Sequence, residues 1–306
     1  MDLHLHTTYS DGKNSLEDVC NYSKEQQLKW FSITDHNTIS GTLTLDKAGL
    51  KPHNLLYGTE FRLPRLPDLL VYFPLMEKNE AQKLENELLE LRELDQVITV
   101  AIANDFIQDD PIKQWHKSRF FNQTGNFWLG TMQLAQLVTN QSLPDADLIK
   151  RIRKKKSELF RTSKRLNAAD QLLERSTVEW VSLLAKRYRG EIVFAHPYRE
   201  IARDNHEKKQ IKYNDAIERL RDLFDKAQEW NISAIEYTLE FSQKWWKNVF
   251  SFVPNTINDS FFSLCNEYNM HITTGSDSHW LFSKDDIIDL RSKDLALAQH
   301  MPKWLL

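Results

Sequence analysis

Long apolar runs are missing from this chain. No stretch of its 306 residues approaches the roughly 18 consecutive apolar residues that mark a membrane-spanning helix. The first residues carry neither a basic nor an apolar leader region, so no signal peptide is expected. Cysteine is scarce. Cys20 and Cys265 form no C-x-x-C pair and lie away from the histidine motifs, which excludes a disulfide framework. They read as buried thiols on helices, and the expected location is the reducing cytoplasm. Neither sign of charge dominates: the formal net charge is −3, which by itself says nothing about partners. Internal repeats and low-complexity linkers are also absent. The length fits one barrel-sized domain with an insertion, or two ordinary domains.

Histidine is present in a meaningful pattern. Five of the ten histidines stand in four places: His4 with His6, His36, His196 and His279. In the opening Met1-Asp-Leu-His-Leu-His-Thr-Thr-Tyr-Ser-Asp11, His4 and His6 are two residues apart. On a β-strand both imidazoles then point to one face, and Leu3 and Leu5 to the other. Asp11 sits in a Ser-Asp-Gly turn that can fold back over the strand end. Two imidazoles and a carboxylate converging on one point suit a divalent transition metal. An isolated H-x-H pair also suits a strand with two satisfied histidines. Three later runs favour the metal. Phe31-Ser-Ile-Thr leads into Asp35-His36, Ile192-Val-Phe-Ala into His196-Pro197, and Ile272-Thr-Thr-Gly-Ser into Asp277-Ser-His279. Leu55-Leu-Tyr-Gly-Thr closes on Glu60. Ligand-type residues at the C-terminal ends of strands spread over the whole chain are how a β/α barrel builds a site.

Seven strands are predicted, beginning near Leu3, Trp30, Leu55, Leu69, Glu191, Ala234 and His271, with helices between most of them. Asn14-Ser15 predicts a helix cap before Leu16. From Glu77 the character changes. Leu84, Leu88, Leu91 and Leu94 recur at helical spacing, as in an amphipathic surface helix. Residues 97–145 are mixed and carry no clear pattern. Between Lys150 and Arg165, nine basic residues face a single acid, Glu158. That segment is either a solvated helix face or a contact surface for phosphate or nucleic acid. One long helix is expected from Ala168 to Tyr188 and another from Tyr213 to Trp230. Trp245-Trp246 read as packing residues, or as a base-stacking platform.

In this order, D-L-H-L-H-T-T-Y-S-D-G, I-T-D-H-N-T, G-T-E, A-H-P-Y-R and G-S-D-S-H resemble the PHP (polymerase and histidinol phosphatase) family. The resemblance covers residues 1–60 and 191–280. It implies a distorted seven-stranded β/α (TIM-like) barrel holding two or three divalent ions, Mn²⁺, Fe²⁺ or Zn²⁺. The arrangement is similar to the branch containing nucleoside 3′,5′-bisphosphate phosphatases and short-RNA 5′ exonucleases, in which a helical cap follows the fourth strand. The expected organisation is barrel over 1–76, inserted cap over 77–189, and barrel over 190–306. Carried over by motif, His4, His6 and Asp277 would hold one metal, with Glu60 bridging to a second held with His196. Asp11, His36 and His279 would hold a third. Asp35 would orient His36 or a neighbour. Leucine stands where the branch has a fourth-strand histidine, so the second site is expected to be weak. Asp68 and His53 are the possible substitutes, neither favoured by spacing.

The reaction expected from such a site is hydrolysis of a phosphomonoester, nucleotide-like or small, by metal-bound hydroxide, with His36 and Asp35 in the catalytic set. Arg199, three residues after His196, either clamps a phosphoryl oxygen or forms a surface ion pair. Arg161 and Arg165 are candidates for a second phosphate. Two other readings stand beside this one: a nuclease holding a short nucleic acid on the basic segment, and a non-catalytic metal-stabilised module.

Overall fold

The structure, a computed structural model, describes residues 1–64, 66–119, 121, 128–141, 144–161, 166–203, 210–238, 250–252, 255–279 and 302. Its seven strands lie in one sheet in sequence order. They are β1 (Asp2–Leu5), β2 (Phe31–Ile33), β3 (Leu55–Phe61), β4 (Leu69–Phe73), β5 (Glu191–Phe194), β6 (Ala234–Thr238) and β7 (His271–Gly275). The sheet curls into a nearly closed barrel. The His6 N–H donates to the Ser278 carbonyl at 3.0 Å, and a parallel bridge joins Leu5 to Ser278. Gly275 makes that approach possible, since a Cβ there would lie 2.3 Å from the His4 Cβ. The barrel differs from a regular β/α barrel at one strand. β4 runs antiparallel to both β3 and β5, and the other pairs are parallel.

Strand alternation divides the core. Leu56, Leu70, Tyr72, Val193, Ala195 and Ala234 fill the barrel interior. Leu69, Val71 and Phe73 face outward into the main core under the helices. Strict alternation fails in β1, where the register shifts between Asp2 and Leu5. Leu3 therefore packs with the interior set and Leu5 with Val19 and Phe31 on the outer side, instead of both sharing one face.

Helix α1 (Leu16–Glu25) begins as the sequence predicts: the Ser15 side chain accepts from the Asp18 N–H, and the Asp18 side chain accepts from the Ser15 N–H. Helix α2 (Ser40–Lys47) follows β2. Between β4 and β5 the described residues form six helices: α3 (Lys78–Ala103), α4 (Pro111–Lys117), α5 (Thr131–Thr139), α6 (Ala146–Arg161), α7 (Asn167–Glu174) and α8 (Val178–Arg187). In α3, Leu84, Leu88 and Leu91 are wholly buried in the main core, which also takes the outward side of β4. The helix continues through the unpatterned region and closes a second small core with Trp115, Leu134 and Ile152. The single helix expected from Ala168 to Tyr188 is two. Ser176 Oγ donates back to the Leu172 carbonyl at 2.6 Å, and the Thr177 side chain accepts from the Trp180 N–H, so side chains end one helix and cap the next. After β5 come α9 (Pro197–Arg203), α10 (Tyr213–Glu229) and α11 (Asn255–Glu267). Trp245 and Trp246 lie outside the described residues. Among those residues, no helix is long and apolar enough to cross a membrane.

Candidate metal centre

Parallel strands deliver their ligand-type residues at their C-terminal ends, and these converge at one mouth of the barrel. Three groups of donors form there. His4, His6, Glu60 and Asp277 make the first, His6, Asp11, His36 and His279 another, and Glu60, Asp68 and His196 a third. The Nε2 atoms of His4 and His6 face each other at 3.2 Å. Each also lies 3.2–3.4 Å from Glu60 Oε2 and Asp277 Oδ1. His36 Nε2 and His279 Nε2 approach the two Asp11 oxygens at 3.3 and 3.2 Å. Glu60 reaches His36 Nδ1 at 2.9 Å and His196 Nε2 at 2.7 Å, so it sits between all three groups. All eight residues expected as ligands from the sequence are brought together. Their individual roles are proposals.

Local backbone explains how they are aimed. Gly12 lets the Asp11 turn fold onto the end of β1, where a Cβ would meet the His6 carbonyl carbon at 2.4 Å. His196 and Asp277 have φ of +26° and +49°. Non-glycine residues adopt that region at a cost, and such strain clusters at functional sites. Asn37 ties the His36 loop to β3, its side chain exchanging two hydrogen bonds with the Arg62 backbone, each at 3.1 Å.

The donor set fits divalent metal. His196 Nδ1 is buried with no partner, and Asp11 Oδ1, both ring nitrogens of His36, Glu60 Oε2 and Asp277 Oδ1 are buried with other donors of the centre beside them, none in hydrogen-bond geometry. Buried polar atoms are otherwise almost always paired. Electrostatics agree. Burial pulls the His4 and His6 proton affinities down. Glu236, Asp277 and Glu60 reverse this for His4, and Asp277 and Glu60 raise His6 to about 10. Burial pushes Asp11 up, but His36 and His279 hold it well below the usual carboxylate range. The negative potential that retains protons on imidazoles holds cations equally well, and a bound cation displaces those protons.

Two carboxylates aim the imidazoles. Glu236, in the middle of β6, accepts from the His4 ring at 2.8 Å and from the His196 N–H at 2.9 Å. The sequence reading gave it no role, although a glutamate inside an apolar strand was a signal. The Asp35 carboxylate makes no hydrogen bond to the His36 ring. It accepts from the Thr7 N–H and hydroxyl and from Ser10 Oγ, and Ser10 Oγ lies 3.3 Å from His6 Nδ1. Asp35 thus orients His6 through Ser10 and pins the ligand turn. Both arrangements leave a ring Nε2 for metal.

Of the two candidate substitutes in the second group, it is Asp68 that stands with Glu60 and His196. Because β4 is antiparallel, its N-terminal end meets the C-terminal ends of its neighbours. The Ala195 N–H donates to the Asp68 carbonyl at 3.2 Å, which sets Asp68 beside His196. Leu70 and Tyr72 on the same side of β4 point into the barrel, and Asp68 is the next such position, at the mouth.

Above the donors lies a cavity of about 1290 Å³ between barrel and inserted helices. Asp11, His36, Arg62, Asp68, His196 and Arg199 line its floor. Arg92, Asp95, Trp128, Arg153, Lys156 and Arg161 line the opposite wall. Gln133 from α5 donates to the Ser10 carbonyl at 3.0 Å, joining the two sides. Arg199 pairs with Asp277 at 2.6 Å, and Arg62 with Asp11 at 3.2 Å. Of the basic segment, Arg153, Lys156 and Arg161 reach the cavity. Lys154 and Lys155 pair with Glu158 and Asp105. Arg165 lies outside the described residues.

Fold and donor set together define a β/α barrel with a candidate metal centre at its mouth. The PHP domain model matches residues 2–177, and the chain belongs to the PHP domain family. No curated protein matches it. Among solved structures it is similar to a protein of Bifidobacterium adolescentis provisionally named a metal-dependent phosphoesterase, at 15% identity and a TM-score of 0.55, with 91% of this chain and 87% of that one covered. An amidohydrolase from Chromobacterium violaceum, solved with sulfate and no metal, aligns at 16% identity and a TM-score of 0.49, over 94% and 89% of the two chains.

Proposed function

We propose that this protein is a phosphoesterase that removes the phosphoryl group from a small or nucleotide-like phosphomonoester. One observation carries the reading: three groups of metal donors form the floor of a cavity whose facing wall carries Arg92, Arg153, Lys156 and Arg161. Divalent ions held by His4, His6, Asp11, His36, Glu60, Asp68, His196, Asp277 and His279 would supply Lewis acidity and a water activated at neutral pH. The chain's residues do the rest. Arg199, partly exposed on the floor, is placed to meet a non-bridging phosphoryl oxygen with its guanidinium. Arg62 flanks it from the other side. On the far wall, Arg153 and Arg161 would hold the remainder of the substrate, whereas Arg92 and Lys156 are paired with Glu85 and Asp95. Ser10, the hydroxyl beside the donors, donates a hydrogen bond to Asp35 at 2.5 Å and so serves to position, not to attack. The name of the Bifidobacterium structure agrees with this chemistry.

A nucleic-acid strand is the weaker fit, because Lys154, Lys155 and Lys156 are paired with Glu158, Asp105 and Asp95. The deciding experiment offers metal-reconstituted protein small phosphomonoesters, phosphodiesters and short oligonucleotides, and measures inorganic phosphate and chain length. Phosphate release from a small ester with shallow salt dependence is expected. Oligonucleotide cleavage that weakens steeply with salt would establish the nuclease reading instead.

A further inference from the structure

We propose that Asp68 is a metal ligand, and that the group it completes selects a harder ion than the rest of the centre. The three groups differ in chemistry. Glu60, Asp68 and His196 offer two carboxylates and one imidazole. The group around Asp11 offers His6, His36 and His279 against a single carboxylate. Imidazole-rich sets suit zinc and iron; carboxylate-rich sets suit manganese and magnesium. One centre thus contains an oxygen-rich and a nitrogen-rich position sharing no ligand.

The geometry gives Asp68 this role on three counts. Its carbonyl is fixed by the Ala195 N–H at 3.2 Å, so the residue cannot drift from His196. Its side chain is largely buried and continues the inward-facing row of Leu70 and Tyr72. His196, which it sits beside, carries an unpartnered buried atom, Nδ1. Arg62 Nε stands 3.8 Å from Asp68 Oδ2 and its Nη1 3.2 Å from Asp11 Oδ2, so one guanidinium spans carboxylates of two groups and restrains both. The inference rests on the metal-dependent reading of the mouth but not on the identity of the ester, and its test reads metal directly.

Wild-type protein, Asp68→Ala and Asp68→His are stripped of metal and titrated with Mn²⁺ and with Zn²⁺. Calorimetry gives affinity, elemental analysis gives ions per chain, and the melting temperature of each metal-free protein reports folding. Outer-shell changes at metal sites already cost about 10–100-fold in affinity, so loss of a direct ligand should weaken one Mn²⁺ by at least ~100-fold. Asp68→Ala should retain one Mn²⁺ fewer than wild type, and Asp68→His should move that position's preference toward Zn²⁺. Equal Mn²⁺ stoichiometry and affinity in wild type and Asp68→Ala would overturn the ligand assignment. An unchanged Mn²⁺/Zn²⁺ ratio in Asp68→His would overturn the selectivity. Should Asp68→Ala fail to fold, Asp68→Asn is scored by the same metal count. These results stand whether or not a phosphomonoester proves to be the substrate.

Discussion

Glu85 ties the inserted helices to the metal mouth, and its removal should be costly. It lies on α3, only 7% exposed. Its carboxylate accepts from Thr38 Oγ1 at 3.0 Å, from the Ile39 N–H at 2.8 Å and from Ser40 Oγ at 2.6 Å, and it pairs with Arg92 two turns along the helix. The Arg92 side chain is 11% exposed and also lies over Trp128. Burial holds the Arg92 guanidinium below its ordinary value despite Glu85 beside it. In Glu85→Ala that cation loses its partner, which costs about 3–5 kcal/mol when one half of a buried pair is removed. The Ile39 N–H is orphaned too, at about 1–3 kcal/mol. The two hydroxyls can rotate to other acceptors. Because the terms share one site they do not add fully, and about 4–6 kcal/mol is expected, a large part of the roughly 5–15 kcal/mol that stabilises a typical protein. Urea denaturation measures it. Glu85→Ala/Arg92→Met should be more stable than Glu85→Ala alone, since it removes the stranded charge. A cost below about 1 kcal/mol for Glu85→Ala, or no recovery in the double variant, would refute the reasoning.

Three further outcomes are expected. His36→Ala should lose metal-dependent hydrolysis and one bound ion while keeping its far-UV circular dichroism, because His36 faces Asp11 and Glu60 and not the apolar core; wild-type turnover with unchanged metal content would contradict this. Arg161→Ala should raise KM about tenfold, the equivalent of ~1.4 kcal/mol from one lost charged contact, with kcat little changed; unaltered kinetics would place Arg161 outside the substrate's reach. His6 is held at about 10 against an ordinary 6.5. Its raised folded value means that, in metal-free protein, its stabilisation is complete below about 6.5 and is lost as pH rises through about 10. The metal-free melting temperature should therefore fall across that window while metal affinity rises, because binding must displace the proton. A metal-free melting temperature that climbs from pH 7 to 10 would oppose this.

Ligand residues were legible in the sequence because strand periodicity is local. His4 with His6, His36, Glu60, His196, Asp277 and His279 each end an apolar run, and a strand's direction and pleat fix where its last side chains point. Capping at Ser15 was legible for the same reason: the interaction closes within three residues. Asp68 was legible only as one of two possible substitutes, with nothing in the spacing to favour it. Its role depends on β4 running antiparallel, and strand direction is set by which neighbours a strand pairs with, not by its own residues. In this antiparallel strand it is the N-terminal end that reaches the mouth, so the pattern of residues following apolar runs does not point to Asp68. Glu236 and the Asp35–Ser10–His6 chain were hidden likewise, since each joins residues from different strands or the far side of a turn. The division of the basic segment was also decided by packing. Helical spacing turned Arg153, Lys156 and Arg161 toward the cavity, while Asp105 and Glu158 took up Lys155 and Lys154. Composition put nine cations in one segment; only the tertiary structure could say which of them face the cavity, because that depends on what each side of the helix is packed against.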